Sequence, residues 1–273
     1  MSEIPNDVIG VIVTSPPYYN VKDYSKDGYQ KQKHSKSDFA DIGSAQSVKE
    51  YLAALLPVWQ ECWRILKPNG KMCVNVPLMP LLKKHSDTHY NRDIIDLQSR
   101  IQTSILDGSK FFLLDLYIWN RTNASKKLMF GSYPYPPNFY AQNTCEFITV
   151  FVKDGAPDKK IPQKIKKESQ LTQKEWITYT KQIWDIPIPS KSDLAFGKHP
   201  AIMPEEIARR CIKLFSFKQD VVCDPFAGSG TTLKAAKDLD RNFVGYELYE
   251  NYKKVIDLKL GKESNSLFAG FND

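Results

Sequence analysis

Residues 221–247 read VVCDPFAGSGTTLKAAKDLDRNFVGYE, and no other stretch of the chain restricts its fold as much. The apolar run Val221-Val222-Cys223 has the composition of a strand and DPFAGSG that of a tight turn. Residues 231–239 then suit a helix, and residues 242–247 a second strand ending in an acid. Strand, turn, helix and strand in this order form the unit of doubly wound sheets, which bind ligands at the carboxyl ends of their strands. Gly228 and Gly230 let backbone approach a ligand where any Cβ would clash. Glu247 stands 23 positions after Asp224, about where an acid accepts both hydroxyls of a ribose. A phosphate grip is the poorer reading, because GxxxxGKS/T is absent and no lysine directly follows the glycines. The pattern suits a nucleoside without phosphates.

A second turn is stiffer. Residues 11–20 read VIVTSPPYYN, and the strand expected over 8–13 must stop at Pro16 and Pro17. Neither proline has an N–H to donate and each fixes its own φ. Ser15 and Tyr18 are therefore held in set positions at a strand's end, which is costly geometry for a mere connection.

Between these turns the chain alternates strands and helices. Residues 21–46 are polar, rich in Lys and Ser and without period, which predicts a long loop. Ser47-x-x-Glu50 opens a helix as a capping box. Val48, Tyr51, Leu52, Leu55, Leu56, Trp59, Trp63 and Leu66 follow its period, with a kink expected at Pro57 and a stop at Lys67-Pro68-Asn69-Gly70. Short strands are expected at 71–76, 111–119, 147–152 and 220–223, partial helix around 94–106, and a helix at 204–215 with Pro in its first turn. Residues 153–182 change character: eight lysines, including Lys164, Lys166 and Lys167, outnumber the acids while apolar residues thin out. Such a stretch is either a solvated charged insertion or a surface that neutralises phosphates.

Composition narrows the partner. The chain has 273 residues, 42% of them apolar, enough for one large α/β domain or two modest ones. Its formal charge of +7 favours a polyanionic partner over a small acidic one. The five cysteines form no CxxC pair, which suits reduced thiols in a cytosolic protein. No apolar run approaches the ~20 residues of a membrane span, and MSEIPNDVIG lacks the regions of a signal peptide. A cytoplasmic protein without membrane contact is expected. His85 and His89, four apart, have no further ligands beside them, and no metal site is expected.

TSPPY ahead of DPFAGSGTT resembles the DNA amino-methyltransferases, and this motif order is similar to that of the family's β class. Lys198-His199-Pro200-Ala201 looks like the family's cofactor-edge motif and RILKPNGKMCVNV like its fifth-strand region. GSYPYPPNFY with CEFITVFVK resembles a further segment, so only residues 21–46, 78–109 and 153–190 lie outside the likeness.

The resemblance implies an α/β, doubly wound, mostly parallel sheet of the Rossmann-like methyltransferase kind with an inserted target-recognition region. It divides the chain into a catalytic half at 1–152, the DNA-recognition insertion at 153–195 and a cofactor-binding half at 196–273. The implied cofactor is S-adenosyl-L-methionine, contacted by Thr14, Lys198, His199, Pro200, Asp224, Pro225, Phe226, Ala227, Gly228, Ser229, Gly230, Thr231 and Glu247. The implied catalytic turn is Ser15, Pro16, Pro17 and Tyr18. Ser15 Oγ and the Pro16 carbonyl would hold the exocyclic amine of a flipped base, and Tyr18 would stack on that base for ~1–3 kcal/mol. Lys164, Lys166, Lys167, Arg121 and Asn123 are the expected DNA contacts, with Tyr133, Tyr135 and Asn138 sharing the aromatic segment 120–145. The first of the four letters, Ser15, favours cytosine N4 over adenine N6, because SPPY goes mostly with the former. Adenine N6, RNA bases, protein glutamine amides and a non-catalytic DNA-binding partner of the same fold stay open. The implied partner is double-stranded DNA, with a separately encoded cognate restriction endonuclease as a companion and a monomer or homodimer as the assembly.

Overall fold

The computed structural model describes residues 1–19, 42–82, 92–124, 134–135, 137, 141, 143–199 and 201–261. The loop expected at 21–46 falls almost wholly outside these residues, as do His85, His89, Tyr133, Asn138 and Pro200. Strand β1 (Ile9–Thr14) lies inside a seven-stranded sheet with β2 (Leu66–Pro77), β5 (Phe111–Arg121), β6 (Cys145–Lys153), β7 (Ile183–Ile186), β8 (Val221–Asp224) and β9 (Asn242–Gly245). The order is β7-β5-β6-β2-β1-β8-β9, and β6 alone runs against the others. A small hairpin of β3 (Met79–Leu82) and β4 (Arg92–Ile95) stands apart. From β1 the chain goes one way to β2 and the other way to β8, so the crevice at a change of winding direction opens between the ends of β1 and β8.

Helices cover both faces. On one side α1 (Val48–Ile65) and α2 (Leu97–Gly108) bury Tyr51, Leu55, Trp59, Leu97 and Ile101 against Ile9, Ile12, Met72 and Val74. On the other, α5 (Glu205–Phe215) and α6 (Thr231–Asp238) bury Ile207, Cys211, Ile212 and Ala235 against Val11, Val13, Cys73 and Val222. The register shift between Ile9 and Val11 turns Ile9 and Ile12 to one face despite their odd spacing. Ser47 caps α1 through the Glu50 N–H at 3.2 Å, while the Glu50 carboxylate reaches back to Gln46 N–H. Pro57 does not end the helix, which is packed along its whole length.

One sequence expectation is corrected. Leu66-Lys67-Pro68-Asn69-Gly70 does not separate helix from strand. It begins β2, with Leu66 already paired to Ile9 and Asn69 taking a positive φ of 61° in the irregular part of the ladder. Residues 153–195, the expected insertion, are continuous with the sheet. They carry α3 (Gln163–Glu168), α4 (Gln173–Tyr179) and β7, and β7 extends the sheet beside Ile118–Arg121 of β5. Trp184 is fully buried, stacks on Tyr117 at 4.5 Å, and donates its indole N–H to Tyr179. The remaining helix, α7 (Glu250–Lys259), packs on the turn that follows β8.

Candidate active site

The carboxyl ends of β1 and β8 are joined directly. Thr14 Oγ1 donates to Asp224 Oδ1 at 2.7 Å across 210 residues of sequence, and both groups are buried. Asp224 also accepts from the Phe226 N–H, and burial pushes its carboxyl up to about 6. The two motifs read from the sequence are thus neighbours, and two cavities of about 500 and about 530 Å³ open beside them.

The first cavity is walled by Ser15, Pro16, Pro17, Tyr18, His199, Asp224, Pro225, Phe226, Ala227, Gly228, Ser229, Thr231 and Glu247. Gly230 turns beneath it at φ +77°, capping α6 in a left-handed conformation that places Ile256 within 3.1–3.3 Å of any added Cβ. Gly228, at φ +51°, takes a backbone conformation that side chains disfavour, and a Cβ there would crowd His199 Nε2 at 3.0 Å. His199 accepts the Ala201 N–H and tilts against Tyr252 at 4.5 Å. Glu247 lies two residues beyond β9, where it accepts the N–H of Gly228 at 2.8 Å and that of Tyr249 at 2.9 Å. Burial pushes its carboxyl up to about 7. Lys198 departs from expectation: its side chain is exposed and absent from both cavity walls. Sequence reasoning missed Met203, Thr232, Tyr246, Tyr249 and Tyr252 on the first wall. The tyrosines stood in plain view around Glu247 in YELYENY, where their clustering was the available signal.

The second cavity shares Ser15, Tyr18, His199, Ala201 and Met203 with the first, and adds Asn75, Trp119, Arg121, Asn143, Glu146 and Phe196. Tyr51 donates to the Pro17 carbonyl at 2.9 Å, which pins the diproline turn to α1. Ser15 Oγ donates to the Asn75 carbonyl at 3.1 Å and lies 2.9 Å from Tyr18 OH. Glu146 is 7% exposed and gathers the Asn75 amide at 2.8 Å, Tyr18 OH at 3.4 Å and Arg121 at 3.3 Å. Neither Asn75 nor Glu146 was singled out from sequence.

The expected DNA contacts divide. Arg121 lines the second cavity. Asn123 is occupied in fastening the loop after β7, accepting the Ile188 N–H at 2.6 Å and donating to its carbonyl. Lys164, Lys166 and Lys167 lie on α3, whose following residue Ser169 accepts the Lys218 N–H three positions before β8 begins. That is the amino end of the sheet, opposite Ser15 and Asp224, so the structure does not bring these lysines to the site.

Among the described residues no group of His, Cys, Asp and Glu is placed to hold a metal ion, and no helix is long and apolar enough to cross a membrane. All five cysteines are free thiols, four of them buried.

The architecture is shared with known proteins. M.MjaI, a type II methyltransferase of Methanocaldococcus jannaschii, is 29% identical over all of this chain and 91% of its own length. M.MthZI, a type II methyltransferase of Methanothermobacter thermautotrophicus, is 28% identical over 96% of this chain and 74% of its own. TTHA0409 of Thermus thermophilus superposes with a TM-score of 0.72 at 26% identity, over 97% of this chain and 92% of that one, and has also been solved with S-adenosyl-L-methionine. The cytosine-N4-specific PvuII DNA methyltransferase shares the fold at a TM-score of 0.66 and 18% identity, over 97% of this chain and 84% of its own. A sequence model of the N6/N4 DNA methylases matches residues 9–258, and the chain belongs to that family of S-adenosylmethionine-dependent DNA amino-methyltransferases.

Proposed function

We propose that the chain transfers a methyl group to the exocyclic N4 of a cytosine flipped out of double-stranded DNA, as the modification half of a restriction–modification pair. The observation that carries this reading is the shared wall: Ser15 and Tyr18 line both cavities, at the strand end where Thr14 meets Asp224.

The first cavity fits the cofactor. Its glycine turn leaves a cradle that a Cβ at Gly228 would fill. Phe226, Tyr246, Tyr249 and Tyr252 supply aromatic surface for an adenine. The Glu247 carboxylate retains acceptor capacity for two ribose hydroxyls beyond the N–H groups it already receives. When bound there, S-adenosylmethionine supplies an electrophilic methyl group.

The rest is done by this chain. An exocyclic amine is a poor nucleophile because its lone pair is delocalised into the ring, so the site must draw its N–H groups aside. Ser15 is suited to that task, since its own proton goes to the Asn75 carbonyl and its lone pairs remain as acceptors. The Pro16 carbonyl sits in a turn that its prolines and Tyr51 hold still. Tyr18 offers a face for the base. Proximity and orientation supply most of the rate. Entry for DNA is over the carboxyl ends, past Arg121, Ile188, Phe196 and Ile202 on the second cavity's wall. Cytosine is favoured by Ser15 at the head of PPY, and adenine N6 is the second reading.

Methylation mapping of DNA from a host expressing the chain, read base by base, tests the proposal. Modified cytosine N4 at one sequence is expected, and Ser15→Ala is expected to lose it while still binding cofactor. Methylated adenine would select the second reading, and unmodified DNA would overturn both.

A further inference from the structure

We infer that Lys259 is a positioning residue that docks the loop after β7 onto the glycine turn, keeping the second cavity in register with the first. The inference rests on the methyl-transfer reading above and names what holds the DNA side of that site in place.

The loop sets its own shape but not its own position. Residues 191–199 are turns and bends outside the sheet. The Asp193 N–H goes to the Ser190 carbonyl, the Phe196 N–H to that of Asp193, and the Lys198 and His199 N–H groups to that of Ala195. Asp193 is the hub, since its Oδ1 also accepts the Ala195 N–H at 2.8 Å. Bonds this local fold a segment and leave open where it sits on the molecule. Apolar burial adds little: Ala195 is enclosed, but Leu194 and Phe196 are each 47% exposed. The placement matters because Phe196, Gly197 and His199 line the second cavity.

Lys259 supplies the placement. It ends α7, and its side chain is 3% exposed. Its ammonium donates to Ser229 Oγ at 3.2 Å and Thr231 Oγ1 at 2.8 Å, and pairs with Asp193 Oδ1 at 3.2 Å. An ammonium has three N–H groups, and each finds an acceptor here. Two of the acceptors belong to the wall of the first cavity and the third to the loop. Tyr252, two turns earlier on α7, meets His199 at 4.5 Å, so the same helix touches the loop twice. Burial pulls the ammonium toward its neutral form, and the Asp193 carboxylate opposes that. A methionine of similar length would fill the space without that cost, so such a pair says little about stability. What it supplies is direction, here between the glycine turn and the loop.

The test cuts the tie from the loop's side first. Asp193→Asn keeps an acceptor for the Ala195 N–H and removes the charge that faces Lys259. It is expected to weaken binding of a duplex carrying the methylated sequence by on the order of tenfold. Affinity for S-adenosylmethionine is expected to stay close to that of the unaltered protein. Loss of a negative charge would by itself strengthen DNA binding, so the expected sign separates placement from simple electrostatics. Lys259→Met should weaken both ligands, because it also releases Ser229 and Thr231. The double variant should bind DNA no more weakly than Lys259→Met alone, since both substitutions break one contact. Normal DNA affinity in Asp193→Asn, or losses that simply add in the double variant, overturn the inference. A merely structural tie would lower the melting temperature of Asp193→Asn and leave the DNA affinity of the folded protein unchanged. Failure of the unaltered protein to methylate any DNA while binding S-adenosylmethionine would instead overturn the methyl-transfer reading, and the inference with it.

Discussion

Glu247 and Asp224 both sit in surroundings that disfavour their charged forms, with carboxyls pushed by burial to about 7 and about 6. The sign of the consequence differs between folding and binding. Each acid holds its proton to a higher pH in the folded chain than in the unfolded one. The stability they contribute is therefore complete below about 4 and is lost as pH rises through about 6 and then about 7. A ligand whose hydroxyls donate to Glu247 favours the carboxylate and reverses that trend. Affinity for S-adenosylmethionine should weaken as pH falls below about 7, approaching tenfold per pH unit. Calorimetry between pH 6 and 8.5 reads this directly. Glu247→Gln should bind more weakly at pH 8 and lose the slope, and Glu247→Ala should cost roughly 1.5–3 kcal/mol of binding. A retained slope in Glu247→Gln would assign the titration to another group. The position of Glu247 was legible from its spacing to Asp224. Its two backbone donors were not, because they depend on how the glycine turn folds back over β9.

The elements divide the positive charge differently from the sequence. In α3 and α4 the lysines look like a nucleic-acid surface, yet Lys213 pairs with Glu175 and Ser169 receives Lys218, which anchors both helices at the amino end of the sheet. Replacing Lys164, Lys166 and Lys167 together by Ala should therefore leave DNA affinity and the slope of log K on log salt unchanged. Lysines that neutralise phosphates would instead flatten that slope on removal, by ~0.9 for each phosphate set free. A filter-binding titration across salt distinguishes the cases. The loop after β7 is the element that reaches the site. It is tied to β5 by Asn123 and Ile188, and to the glycine turn by Lys259, which pairs with Asp193 and donates to Thr231 at 2.8 Å. Elements with strong local signals, such as α1 with its helical period and β1 with its apolar run halted by two prolines, were readable in advance. The four-residue β7 was not, because its identity as a strand comes from pairing with β5 and from burial of Trp184.

Across the whole molecule, the hydrogen bond from Thr14 to Asp224 links the first strand of the sheet to the first strand of the cofactor unit. Thr14→Val keeps the shape and leaves a buried carboxyl short of one donor. It should cost about 1.5–3 kcal/mol of stability, seen as a lower urea midpoint at constant m-value. An unchanged midpoint would mean that the other donors to Asp224 suffice. By itself the sequence determined the local chemistry: a strand halted by two prolines, a turn built on glycines, and an acid at the next strand's end. These are readable because each depends on a few adjacent residues and on backbone rules that hold in any fold. Tertiary structure decided which of them meet. The antiparallel course of β6 carries Glu146 to the end of the sheet where Ser15 and Asn75 lie, and the crossing to β7 carries α3 to the opposite end. Strand direction and order are properties of the assembled sheet, and no window of residues contains them.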